Sequence, residues 1–218
     1  MKRALPILLL LGLAPAATAQ RGPILDRVPE HPDRAARYVI YLHGRIVEEK
    51  GPRPTHEQWG VYEYRKILEA LAPAGMVISE QRPAGTDMDR FAQHVAGQVR
   101  TLVAAGVPAD HITVIGFSKG GGIAIRTSAL LRNDKVHFVF LAACGDGDFR
   151  GSDLDVRGRI LSVYEASDEI GRSCAQLFAK SKSPGERKEV RISIGGGHGA
   201  FFRPRQEWTS PVLAWVER

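Results

Sequence analysis

Apolar residues along the chain fall into short unbroken runs separated by longer stretches of helical spacing. Tyr38 to Leu42 reads YVIYL, β-branched and aromatic up to its closing leucine, as expected of a strand buried on both faces. Comparable runs are Met76 to Ser79, His111 to Ile115, Val136 to Leu141, Ile160 to Tyr164 and Val190 to Ile194, each bounded by Gly, Pro or charged residues. Helical periodicity covers Tyr64 to Leu71, Met88 to Ala104, Lys119 to Leu131, Arg172 to Ser181 and Gln206 to Val216. Strand and helix alternate, which predicts an α/β fold. Its mainly parallel sheet of about six strands should carry helices on both faces and place its site at the carboxyl ends of the strands. Residues 20 to 37 read as a surface leader with a short edge strand at Ile24 to Val28. No internal repeat divides the chain, and its length suits a single domain over 20–218.

The first residues change the picture of where the domain works. Lys2-Arg3, the apolar stretch Leu5 to Leu13 and Ala17-Thr18-Ala19 have the layout of a signal peptide cleaved after Ala19, implying export to a periplasm or beyond. The stretch is short and interrupted by Pro6 and Pro15, which argues against a stable membrane anchor. Cleavage would remove two positive charges from a formal +6. The remaining basic residues are scattered without aromatic interleaving, so nucleic acid is not an expected partner. Two cysteines, Cys144 and Cys174, could form one disulfide in an oxidising compartment or remain two buried thiols.

The sharpest chemical signal is Gly116-Phe117-Ser118-Lys119-Gly120, set between the apolar run 112–115 and a helix opening Gly121-Gly122-Ile123-Ala124. A tight strand-to-helix turn needs small residues on either side of the serine and leaves its hydroxyl exposed at the start of a helix. Of the histidines after Ser118, His137 lies inside an apolar run and reads as structural. His198 lies in Gly195-Gly196-Gly197-His198-Gly199, just past a strand, and is the candidate base. For the acid we favour Asp168, in the loop after the run 160–164. Glu165 and Glu169 flank it, Asp146 or Asp148 after the preceding strand offers an alternative, and Ser167-Asp168 also reads as a helix cap.

These motifs resemble the α/β-hydrolase superfamily, and within it small lidless members such as carboxylesterases, acyl-protein thioesterases and dienelactone hydrolases. The resemblance covers Tyr38 to the C-terminus. It implies a Ser118-Asp168-His198 triad and an oxyanion hole made by the backbone N–H of Lys119 with that of Gly44 or Arg45, since His43-Gly44 ends the first strong strand. The implied reaction is hydrolysis of a carboxylic ester or thioester of a small molecule. Peptide or amide hydrolysis by the same triad and a catalytically silent binding protein are the alternatives.

Two departures from that pattern bear on substrate. Lysine occupies position 119, where relatives carry Gln, Met or a small residue, and Arg45 and Arg82 fall in loops expected to rim the same end of the sheet. The mouth would then be cationic and favour an anionic ester, unless these are ordinary solvated charges. The segment between the runs ending at Leu141 and starting at Ile160 is too short for a helical cap, so an open site is expected. The long loop from Arg45 to Gly60, with Trp59, is the expected substrate-selecting wall. His31, His56, His94 and His111 show no metal-ligand spacing and no phosphate loop is present, so neither metal nor cofactor is expected.

Overall fold

A computed structural model describes residues 21–145, 154–183 and 185–217. The signal-peptide expectation and the alternatives Asp146 and Asp148 lie outside the described residues. Among the described residues seven strands form one sheet: β1 (Ile24–Leu25), β2 (Tyr38–Leu42), β5 (Met76–Ile78), β6 (Ile112–Phe117), β7 (His137–Leu141), β8 (Arg159–Glu165) and β9 (Arg187–Ile192). Their order is β1-β5-β2-β6-β7-β8-β9, and every pairing is parallel. A separate antiparallel hairpin, β3 (Thr55–His56) with β4 (Gly60–Val61), stands off this sheet.

Parallel neighbours must be joined by crossovers, and the crossovers cover both faces. Successive side chains of β2 go to opposite sides. Val39 and Tyr41 pack with Ile67 and Leu71 of α2 (Tyr64–Leu71) and Trp208 and Val212 of α6 (Gln206–Val216). Tyr38, Ile40 and Leu42 pack with Val95 and Val99 of α3 (Met88–Ala104) and Ile123 of α4 (Lys119–Leu131). With both faces covered, the central strands are apolar on both sides apart from Thr113 and His137, and all residues of β2, β6 and β7 are buried. Asp87 starts α3 by accepting a hydrogen bond from the N–H of Arg90 at 2.8 Å.

Three differences from the sequence expectation have physical causes. The last strand is Arg187–Ile192 and ends before Ile194. As an edge strand paired only with β8, it keeps charged residues on partly exposed positions, so its apolar signal is weak. The segment expected as one long loop folds into α1 (Arg45–Lys50) followed by the β3–β4 hairpin. The last crossover helix, α5 (Ala175–Lys180), is shorter than the expected 172–181. The connection from β7 to β8 carries no helical cap among its described residues.

Cys144, just past β7, and Cys174, just before α5, form a disulfide with a sequence separation of 30. A cross-link closing a loop of that length restrains the unfolded chain. Replacing both cysteines by serine is expected to cost about 2 to 4 kcal/mol, read as a lower urea midpoint with a steeper slope, because the unfolded chain without the cross-link exposes more surface.

Candidate active site

Ser118 sits between β6 and α4 with φ 54° and ψ −119°, a conformation that an L-residue adopts only when its surroundings enforce it. The enforcement is close backbone approach. A Cβ placed on Gly116 would come within 2.2 Å of the Gly120 carbonyl oxygen, and one on Gly120 within 2.0 Å of the Leu42 carbonyl oxygen. The Ser118 N–H donates to Leu141 O at 3.0 Å, so the turn is tied to β7 as well. The hydroxyl is thereby held above the carboxyl ends of the central strands.

His198 arrives from the loop after β9, in a tight turn over Gly197–Phe201. Its Nε2 lies 2.8 Å from Ser118 Oγ and its Nδ1 lies 2.8 Å from Asp168 Oδ2. Asp168 Oδ1 accepts the N–H groups of Ile170 at 2.8 Å and Gly171 at 3.0 Å. Burial by itself would raise the pKa of this carboxyl. The hydrogen bond and charge of His198, with the two backbone donors, outweigh burial and hold it below the ordinary carboxylate range. An ionised Asp168 can only accept, so the imidazole proton resides on Nδ1 and Nε2 is free to accept from the serine. Phe117 and Trp59 flank the imidazole, with ring centroids at 4.9 and 5.4 Å.

These groups open into a cavity of about 670 Å³ whose lining includes Gly44, Arg45, Trp59, Ser118, Lys119 and His198. The segment 45–60 supplies one wall, with Trp59 stacked on His56 at 4.0 Å between near-parallel rings. A Cβ on Gly44 would lie 3.7 Å from that of Ser118, so the turn after β2 runs alongside the serine.

The expected cationic mouth is only partly realised. Arg45 is exposed at the cavity, but Arg82 is 3% exposed and does not line it. Its Nε donates to Glu48 Oε1 at 2.8 Å, and its Nη2 donates to the His43 carbonyl oxygen. Lys119 lines the cavity, yet its ammonium donates to Glu48 Oε2 at 2.5 Å. Glu48 is the residue that sequence reasoning overlooked. Its side chain is fully buried, and it draws Arg82 inward and neutralises part of Lys119. His43 accepts the Arg82 backbone N–H at its Nε2, which leaves the proton on Nδ1 facing Gly44 O. Burial, and then the Arg82 charge, push its pKa down to about 3, so it is neutral and structural.

No protein-family model matches the sequence, and no curated protein matches it. The structure, however, is similar to solved ones. SOBER1 from Arabidopsis thaliana superposes with a TM-score of 0.57 at 10% identity, over 84% of this chain and 98% of that one. An arylesterase gives 0.54 at 16% identity, over 83% and 75%. XC6422 from Xanthomonas campestris, a serine hydrolase without a lid, gives 0.52 at 18% identity, over 88% and 84%. The protein has the α/β-hydrolase fold.

Within this α/β-hydrolase fold, a second carboxylate joins the two loops that bring in Asp168 and His198. Glu165, 1% exposed at the end of β8, accepts the Ser167 N–H at 2.7 Å on Oε2. It accepts the N–H groups of Ile194 and Gly195 at 3.2 and 3.1 Å on Oε1. Burial opposes the charge, but the Ser167 side-chain and backbone donors and the N–H groups of Gly195 and Ile194 together lower its pKa. Glutamine would turn an NH₂ toward an N–H on one side. Glu165→Gln should therefore cost about 1 to 3 kcal/mol at neutral pH. Because the folded-state pKa lies below the unfolded one, Glu165 contributes stability above the unfolded value, and that contribution is lost as pH falls through the folded value. Urea titrations from neutral to acid pH should show a shallower acid slope in the variant than in wild type.

Proposed function

We propose that the protein is a serine hydrolase that cleaves a carboxylic ester or thioester through an acyl-enzyme on Ser118. The observation that carries this reading is the pair of 2.8 Å contacts linking Ser118 Oγ to His198 Nε2 and His198 Nδ1 to Asp168. The similarity to an arylesterase and to a serine hydrolase without a lid supports it.

In this mechanism Ser118 Oγ attacks the carbonyl carbon while His198 Nε2 takes its proton. Asp168 accepts the Nδ1–H bond and stabilises the imidazolium that forms. Negative charge develops on the former carbonyl oxygen, where the N–H of Lys119 and that of Gly44 or Arg45 donate to it. The first N–H groups of α4 have no intrahelical acceptor and are available for this. Each such donor is worth about 3 kcal/mol in the transition state. Collapse of the intermediate breaks the bond to the leaving alcohol or thiol, which departs with the proton from His198. Water then adds to the acyl-enzyme, giving its proton to His198, and a second collapse returns that proton to Ser118 and frees the acid.

The open cavity accepts a small-molecule ester. Arg45 and Lys50 at its rim, opposed there by Glu49, favour a substrate bearing negative charge, with Trp59 as an apolar wall.

Intact mass after fluorophosphonate treatment tests the nucleophile: one adduct is expected on wild type and none on Ser118→Ala. Absence of an adduct on folded wild type would turn the reading toward a ligand-binding role. An ester, thioester and amide panel with that same Ser118→Ala control then separates leaving groups. For the charged rim, raising ionic strength should lower kcat/KM for an acidic ester and leave a neutral analogue unchanged. Equal salt responses would remove the anionic preference.

A further inference from the structure

We propose that Glu48 is a positioning residue that locks together the two backbone segments donating to the oxyanion, an inference resting on the serine hydrolase reading above. Its carboxylate is fully buried, and its two oxygens bind different parts of the chain. Oε1 accepts from Arg82 Nε at 2.8 Å, and Oε2 accepts from Lys119 Nζ at 2.5 Å. Arg82 in turn holds the carbonyl of His43 through Nη2 and the His43 ring through its own N–H. One carboxylate thus connects the turn His43-Gly44-Arg45 to Lys119.

Of the two segments, the turn into α1 is the one that needs such an external restraint. α1 has six residues, no side-chain cap on Gly44, and only Val47 and Glu48 buried. A helix of this length has no stability of its own, so its tilt, and with it the direction of the Gly44 and Arg45 N–H bonds, is set by the packing of Ile46 and Val47 on the core and by the partners of Glu48. The other segment begins Lys119-Gly120-Gly121-Gly122, whose glycines pack against Leu42 and Ala143, so it offers α1 a fixed anchor. The Lys119 side chain, 10% exposed, is tied to the residue that fixes α1. Pairing a buried carboxylate with cations adds little net stability over an apolar replacement. What it supplies here is orientation, because each oxygen is committed to a separate segment. Lysine at position 119 is thereby explained as a tether and not as a substrate contact.

The test uses the purified protein with Lys119→Met, which keeps most of the aliphatic stem and cuts the tether, and Lys119→Arg, which retains the charge. Lys119→Met should lower kcat about tenfold for a neutral ester with KM unchanged, since only a transition-state contact is misaligned. Lys119→Arg should recover most of that loss. Adding Glu48→Gln to Lys119→Met should lower kcat less than Glu48→Gln does alone. Amide exchange measured by NMR should be faster in Lys119→Met than in wild type at Val47 and Gly51, whose N–H groups carry the hydrogen bonds of α1 to Gly44 O and Val47 O. Wild-type kcat together with unchanged exchange in that variant would overturn the proposal, as would a kcat loss that follows a lowered melting temperature and is equal in Lys119→Arg. If Glu48→Gln fails to fold, the two Lys119 variants still decide. Exchange needs no substrate, so an inert wild type that takes no fluorophosphonate would sink the hydrolase reading and leave the tether still tested.

Discussion

The turn from β6 into α4 places Ser118 at φ 54° by bringing backbone against backbone, with Gly120 lying directly over the carbonyl of Leu42. This contact joins the end of β2, the end of β6 and the first turn of α4 at one point. Everything else in the site is arranged around it. The cavity, the turn after β2 and the histidine loop all converge on a hydroxyl whose position is set by the absence of two side chains.

Around that point the molecule uses buried carboxylates with separate tasks. Asp168 holds the imidazole, Glu165 joins the loops that carry Asp168 and His198, and Glu48 links α1 to the start of α4. Glu165 has hydrogen-bond donors from two loops around it, whereas Glu48 has two cations. The difference suits their locations. Loops offer free backbone N–H groups, while α1 and α4 present side chains to each other, so charge must be matched by charge.

The disulfide belongs to the same end of the molecule. Cys174 follows the Asp168 loop, and its backbone N–H donates to Glu189 on β9 at 2.7 Å. With Cys144 just past β7, the bridge ties the acid loop to the sheet beside the serine turn. An open site with no cap among its described residues depends on such local ties to keep its loops in place.

Much of this was legible in the chain because it is written in local patterns. Runs apolar at every position mark strands covered on both faces, and Gly116-Phe117-Ser118-Lys119-Gly120 after such a run marks the turn. His198 and Asp168 stand out because each follows a strand in the expected order, and the structure brings His198 to Ser118 and Asp168 to His198. The bounds of β9 are shifted in the sequence pattern because an edge strand carries charge, and α1 and the hairpin read as a loop because elements that short show no period. Arg82 was assigned to the mouth because its burial depends on Glu48, a carboxylate 34 residues earlier in the chain. By itself, then, the sequence determined the layered fold and pointed to the candidate nucleophile, base and acid. Only the tertiary structure decided which charges face the cavity and which cancel one another inside, because the burial of an ion depends on a partner that local sequence does not reveal.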